Sequence, residues 1–281
     1  MAVSNKKDRI KTWILRIVMM IGSLIVILPL IWTLISSLKT TKEFYANPWS
    51  LPESLHFDNY INAFTKSNMG DYFLNSIFVT VLSLIFLMIL VIPSAYALSR
   101  YKFIGANFIK NSYMAGLFIQ AVYIIVPLFL VLNNLKLLDN LIALSLVYAV
   151  LHTPFATYML IGFMQGIPKD YEEAAMIDGC SYFKTLIKVI VPLAKPGIIT
   201  VLIFNFMAFW NEYALAITFI MTDAKKTLPV GLQNLMEVQK FATDWGAMFA
   251  GMVIVMIPTM IIYSIFHKKL TEGINIGGIK G

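Results

Sequence analysis

Asn205, Phe209 and Glu212 stand four and then three residues apart in the stretch "NFMAFWNE". On a continuous helix they would share one face, with Ala208 beside them leaving room. Amides and carboxylates hydrogen-bond hydroxyl groups, and an aromatic face packs on apolar C–H surface. Acids and amides inside an apolar run point to a bundle interior or a water-filled path. Two readings of Glu212 therefore stand: it lines such a path, or it sits near the outer headgroups or caps a neighbouring helix. Asn211 would point roughly 100° away and bond a neighbouring helix. Other chemistry is sparse. His56, His152 and His267 lie in separate segments without ligand spacing, so no metal site is expected. There is no Gly-x-Ser-x-Gly elbow and no G-x-x-x-x-G-K-[ST] phosphate loop. No catalytic residue is assigned, and any nucleotide this system uses must be bound by another chain.

A second group of residues sits in "IPKDYEEAAMIDGCSYFKTLIKVIVPLAKPG", a charged, helix-friendly segment in an otherwise apolar chain. Asp170-x-x-Glu173, just after Pro168, is a capping-box pattern. Ala175 and Gly179 are spaced i,i+4, as are Ala174 and Asp178, so a short helix would present a nearly bare face. Gly179 weakens a helix, which asks for some other reason for its presence. Pro192 and Pro196 then punctuate the chain. Two readings fit: a connector lying on a membrane surface, or a helix whose smooth face lets a partner approach closely. Cys180, the single cysteine, has no partner in the chain and is given no role.

The elements that must position these residues are membrane helices. The chain has 281 residues, is 59% hydrophobic and only 13% charged, against about 25% charged in soluble domains. Long uncharged runs of about the 20 residues needed to cross a bilayer recur. Their continuity argues for helices rather than alternating barrel strands. The expectation is an all-α membrane protein, one transmembrane domain over 1–281, with six helices near 13–38, 73–98, 108–132, 141–165, 197–221 and 246–267. The charged segment falls in the loop near 166–196. Pro29, Pro93, Pro127, Pro154 and Pro258 lie inside these runs and predict kinks rather than ends. The first run is too long for a signal-peptide core, and "SSLKTTKEF" offers no small-residue cleavage site, so it is read as a helix. With both termini cytoplasmic, the inner segments hold fifteen of the 22 Lys and Arg residues, as the positive-inside rule asks. That placement also absorbs the net charge of +7, and no aromatic-basic motif suggests nucleic acid.

"EEAAMIDG" followed by "VIVP" resembles the EAA loop of permease subunits of ATP-binding-cassette importers. That signature runs Glu-Ala-Ala, three residues, Gly, nine residues, then Ile-x-Leu-Pro. Glu173, Ala174, Ala175, Gly179 and Pro192 match it, with Val189 and Val191 in place of Ile and Leu. "NS" at Asn75-Ser76, "SAYALSR", "WNEYALAITFI", "TLPVGL" and the closing "EGINIGGIKG" are similar to the carbohydrate branch, and more narrowly to the maltose-type second permease. Gly278 and Ile279 depart from that branch's usual Ala-Val. The resemblance covers nearly the whole chain. It implies six membrane helices and a heterodimer with a second permease subunit. It also implies two ATPase subunits that bind ATP and Mg, and an extracytoplasmic binding protein that delivers a sugar. The setting would be a bacterial cell membrane. The segment at Glu172, Glu173, Ala174, Ala175, Asp178, Gly179 and Pro192 would then hold a coupling helix docked in the ATPase. Asn205, Phe209 and Glu212 would line the pathway. An ion-coupled secondary transporter using Glu212 is the other reading, and a membrane scaffold a third.

Further expectations concern the periphery. A short helix is expected at Asn59–Phe64 after Asp58 as a cap. "VGLQNLMEVQKF" has helical spacing at Leu232, Leu235, Met236 and Gln239, and by resemblance its loop reaches the binding protein. Gln120 and His152, lone polar residues, are expected to hydrogen-bond between helices, and Gly162-x-x-x-Gly166 suits close packing. The glycine-rich tail after Leu270 is expected to resist helix formation and, by resemblance, to contact the ATPase pair.

Overall fold

The computed structural model describes residues 6–66, 68–242 and 244–278. Among them all regular structure is helical. Four helices are long and apolar enough to cross a membrane: α1 (Lys6–Ser36), α4 (Met69–Arg100), α7 (Leu141–Gln165) and α13 (Trp245–Gly278). Two further candidates are bent pairs. The helices α5 (Ala106–Gly116) and α6 (Ala121–Asn134) meet at 105°. The helices α9 (Tyr182–Leu193) and α10 (Lys195–Trp210) meet at 76°. The number of spans is thus four, or up to six if each bent pair counts as one. Shorter helices fill the connections: α2 (Thr41–Ala46), α3 (Asp58–Lys66), α8 (Asp170–Ile177), α11 (Ala214–Phe219) and α12 (Leu228–Ala242).

The five prolines expected inside helices lie there. The breaks fall elsewhere, and they correct two expected spans. The run 108–132 is interrupted at 117–120, where Leu117, Phe118 and Ile119 tighten into three successive i→i−3 bonds. Gly116 just before this turn lies against Pro154 of α7; a Cβ there would meet Pro154 Cγ at 3.0 Å. The run 197–221 ends as a helix at Trp210. Glu212 then accepts the amides of Leu215 and Ala216, at 2.7 and 3.0 Å, and starts α11 afresh. A side chain that satisfies orphan amides favours a new helix start over continuation. The bend at Ala194 lies between Pro192 and Pro196, as their positions suggested.

The described residues gather in two compact units, Met1–Met69 with Leu232–Met256, and Gly70–Gly231 with Ile257–Gly281. In the first unit, α1 exposes an apolar surface along the window that qualifies it as a span. Its end is tied down by a knot. The fully buried Lys39 donates to the carbonyls of Asn47 and Pro48, each at 3.1 Å. Asn59 donates to the carbonyls of Ser37 and Lys39. Trp32, Phe44, Trp245 and Phe249 pack ring to ring beside it. Thr40 and Glu43 form a reciprocal capping box on α2. The expected short helix is α3, which begins with Asp58 in its first turn.

In the second unit, α7 is the central member. Leu144, Tyr148, Leu160 and Met164 are buried on it with Leu87, Val91 and Tyr96 of α4 and Val201 of α10. Gly197 allows α10 to sit on α7, because a Cβ there would come within 2.4 Å of the Phe163 ring. In "VIVP", Ile190 is fully buried and anchors α9, which contains a π-helical turn at Leu186–Ile190. The chain before α7 and the chain after α11 are also clamped together. Asp139 accepts the amides of Met221 and Thr222 and pairs with Lys225 at 2.8 Å. Helix α12 contains the periodic positions Leu232, Leu235, Met236 and Gln239, as expected. The tail does not follow expectation: α13 stays helical through Gly278. Extending an existing helix costs only residue propensity, and no proline follows Pro258. Ile279, Lys280 and Gly281 lie outside the described residues.

Candidate functional site

Two places gather the residues singled out above. The first is built on α7 and α10. Asn205 is fully buried, and its Nδ2 donates to the Val201 carbonyl at 2.8 Å. That leaves Oδ1 as the acceptor for His152 Nδ1 at 2.9 Å. The proton therefore sits on Nδ1, and Nε2 is left as an acceptor. The imidazole meets the Phe209 ring edge to face, centroids 4.8 Å apart, and Phe209 stacks on Tyr148 at 5.6 Å. The Tyr148 hydroxyl donates to Glu212. Helix α7 thus carries a polar line, Tyr148 and His152 one turn apart, against the residues of α10 and its end.

A cavity of about 330 Å³ opens beside this line. His152, Asn205 and Ala208 face it, with Phe155, Phe204 and Ile119 among its apolar lining. Its lining holds no Lys, Arg, Asp or Glu. The imidazole, oriented by the buried Asn205 amide, can hydrogen-bond a hydroxyl group in this apolar hollow, with aromatic surface for the C–H face of a ring. Ile119 belongs to the break between α5 and α6, so irregular backbone borders the hollow, as membrane proteins allow only where a cavity or protein shields it.

Of the three expected pathway residues, Asn205 borders the cavity but has no exposed surface of its own, its amide being held by His152 and Val201. Phe209 is 3% exposed and sits behind it. Glu212 lies past the end of α10, so the i,i+7 spacing does not hold on a helix, and its carboxylate caps α11. Asn211 does not reach a neighbouring helix; it donates to Met207 of its own. His152 bridges helices as expected, whereas Gln120 is exposed at the break and makes no cap bond. Gly162 has open space around it rather than a packed neighbour within the chain. Sequence reasoning missed Tyr148; a tyrosine one turn before His152 on a long helix was the signal available.

The second place is α8. Lys169 precedes it without a side-chain cap, and Asp170 lies within the first turn, so the capping box Asp170-x-x-Glu173 does not form. The chain enters the helix already in helical backbone at Lys169, which leaves no extended cap residue for the carboxylate to serve. Glu172 turns inward. Its carboxylate approaches Arg100 Nε at 2.6 Å, with both side chains under a tenth exposed, and accepts the Tyr96 hydroxyl at 3.3 Å. Arg100 also donates to the Ile167 carbonyl at 2.8 Å. Ala175 packs inward beside Glu172, at 5% exposure. The face left open carries Tyr171, Glu173, Ala174, Met176 and Ile177. The bare face drawn through Ala175 is thus turned to its own chain, and Ala174 takes its place outside.

Gly179 also has a local reason that the i,i+4 reading missed. Its φ is +75°, and it ends α8. The Gly179 amide donates to the Met176 carbonyl at 3.0 Å, and that of Cys180 to Ala175 at 2.9 Å. This is a Schellman cap, which needs left-handed backbone and so favours glycine. Asp178 is exposed at the helix end, and Pro192 is exposed before the bend at Ala194. Tyr96 and Arg100 were missed as functional residues, although "SAYALSR" had been singled out.

Residues 92–275 match the family of binding-protein-dependent transport system inner membrane components. The chain belongs to this family. It is a multi-pass membrane permease and not an enzyme. A diacetylchitobiose uptake system permease protein, NgcG, from Streptomyces coelicolor is 37% identical over 92% of this chain and 86% of its own. The sulfoquinovosyl glycerol transport system permease protein SmoH of Agrobacterium fabrum is 37% identical over 90% of this chain and 88% of its own. A chain in the crystal structure of a bacterial ABC transporter involved in import of the acidic polysaccharide alginate superposes with a TM-score of 0.84. It covers 95% of the permease and 99% of its own length at 24% identity, which establishes the shared fold. Both candidate places, α8 and the α7–α10 line, fall inside the matched residues.

Proposed function

We propose that this permease is one of two membrane subunits of an ATP-driven importer. It crosses the membrane six times, each bent pair counting as one span, with both termini in the cytoplasm of a bacterial cell. The fifteen inward Lys and Arg residues support that orientation. The whole chain acts as one permease domain. A second permease subunit completes the pathway, two ATPase subunits bind ATP and Mg, and an extracytoplasmic binding protein delivers the cargo. The cargo is a sugar or oligosaccharide. Relatives named for diacetylchitobiose and sulfoquinovosyl glycerol support a glycan, and so does the cavity between aromatic surface, His152 and Asn205.

The observation that carries the proposal is α8. An eight-residue helix projects a face of Tyr171, Glu173, Ala174, Met176 and Ile177 while its other face is bolted to α4. A connector that only rested on lipid would have no need of a buried ion pair behind it. This face docks in the ATPase, with Glu173 and Ala174 at the contact and Asp178 and Gly179 at its edge. Glu172 and Ala175 hold the helix from behind, and Ile190 and Pro192 set the return of the chain. Asn205 contributes to the sugar path by holding His152 at the cavity, with Phe209 and Glu212 supporting it through His152 and Tyr148.

The test is reconstitution of the permease with a partner permease, an ATPase and a binding protein in proteoliposomes. Cargo-loaded binding protein should raise ATP hydrolysis several-fold and drive sugar uptake. Uptake that needs no ATPase would refute the proposal.

A further inference from the structure

The Arg100–Glu172 pair joins α8 to one end of α4, and the other end of α4 is held as firmly. There the Tyr72 hydroxyl donates to Asp223 at 2.9 Å. Asn75 Nδ2 donates to the carbonyls of Ala224 and Lys226, at 2.8 and 3.0 Å. Ser76 Oγ accepts the Leu228 amide at 2.7 Å. Gly231, on the same outer segment, sits so close to Tyr72 that a Cβ would meet its ring at 1.9 Å. Between these two clamps α4 is one unbroken helix, and Tyr72 to Arg100 spans about 42 Å at 1.5 Å per residue. Leu87, Val91 and Tyr96 are buried along it against the rest of the unit.

We propose that Arg100 and Glu172 are positioning residues that latch α8 to α4, so that α4 carries displacement of α8 to the outer segment Asp223–Leu228. The pair suits a latch because it is shielded from water and salt, where attraction between opposite charges is strong. Arg100 holds two groups at once, the Glu172 carboxylate and the Ile167 carbonyl, so α8 and the end of α7 move with α4. The outer segment leads into α12, so the far end of the strut lies where an outside partner's binding would be felt. This rests on the coupling role proposed for α8, and adds that the mechanical route to the outer surface runs along α4 rather than through the cavity.

The experiment is a double-mutant cycle in the full reconstituted complex, reading stimulation of ATP hydrolysis by loaded binding protein and ATPase co-purification. Arg100→Gln and Glu172→Gln should each lower stimulation about five- to tenfold while the ATPase still co-purifies, because the docking face is untouched. The double variant should be no worse than the worse single, as for two halves of one latch. Asn75→Ala, at the other end of α4, should lower stimulation two- to fivefold. Combined with Arg100→Gln it should add little further loss. Sites this far apart ordinarily act independently, so losses that multiply would overturn the strut. Full stimulation in Arg100→Gln and Glu172→Gln would overturn the latch. So would loss of ATPase co-purification in both, which would make the pair part of docking instead. A wild-type complex without stimulation would sink the coupling role itself, and this inference with it.

Discussion

Glu172 and Glu212 are two acids of one chain that meet their surroundings in opposite ways. Glu172 belongs to a charged segment outside the apolar runs, yet it is buried against a full positive charge, Arg100. Glu212 belongs to an apolar stretch, yet among the described residues no cation pairs with it; a tyrosine hydroxyl and two backbone amides hold it. An ion pair fixes two elements to each other and resists exchange with water. A set of dipoles satisfies a carboxylate while leaving the elements free to shift together. On the coupling role proposed for α8, the ion pair holds that helix against displacement, whereas the turn at Asn211–Tyr213 is held in shape by dipoles.

The largest effect that would sharpen this contrast is at Gly179. Gly179→Asp places a carboxylate in left-handed backbone at the edge of the docking face, and a charge that loses water on docking costs several kcal/mol. ATPase co-purification should be lost while membrane insertion stays normal. Gly179→Ala should cost about 1–2 kcal/mol through its φ alone, and Gly179→Asn less. Retained coupling should thus rank Gly, Asn, Ala, Asp. Coupling in the Ala variant equal to or above wild type would show that the cap does not matter.

Glu212 comes next. Glu212→Ala removes the cap of α11 and the acceptor of Tyr148, and should destabilise the protein by about 1–3 kcal/mol. Glu212→Gln keeps one acceptor and should lose about half of that, with uptake reduced and ATPase co-purification intact. Thermal unfolding in detergent and uptake assays check both. Loss of ATPase binding in Glu212→Gln would erase the distinction between the two acids.

Of the fold, the helical class and the long apolar runs were legible because lipid demands continuous apolar helix. The two broken spans were not. The first follows the close approach of Gly116 to Pro154 and the second the forward cap by Glu212, contacts that hydropathy averages away. The charged segment was legible as a helix, but its facing was not. Sequence spacing puts Ala175 and Gly179 in line, whereas Arg100, about 70 residues earlier in the chain, decides that Glu172 and Ala175 turn inward. A long-range ion pair leaves no periodic trace. Asn205 was found from its position in an apolar run; its partner His152 was seen only as a lone polar residue, because pairing belongs to the packing of α7 on α10.

A smaller effect is expected at that pair. His152→Leu leaves Asn205 Oδ1 buried without its donor, at about 1–3 kcal/mol. His152→Leu with Asn205→Leu should recover much of that stability yet still lose uptake of the native sugar. If the double variant transports normally, the cavity is not part of the path.

The smallest effect is at Asp139, a third acid, which combines both modes by pairing with Lys225 and accepting backbone amides. Lys225 first, and then Thr222, hold its carboxyl well below the usual range. A depressed folded value contributes stability that is fully present above the unfolded value of about 4 and is lost as pH falls through the folded value. Asp139→Asn should therefore lower the unfolding temperature slightly at pH 7, and the difference from wild type should shrink only below about pH 4. A difference that shrank between pH 7 and 5 would point to another group.

In the proposed complex the open face of α8 meets the ATPase while its back is held by α4. A photoreactive residue placed at Ala174, in the assembled complex, reads this directly. A cross-link from position 174 to the ATPase is expected, absent from the same probe at Glu237 of α12, and lost when Gly179→Asp is added. Cross-links from position 174 to lipid or to the permease alone would contradict it.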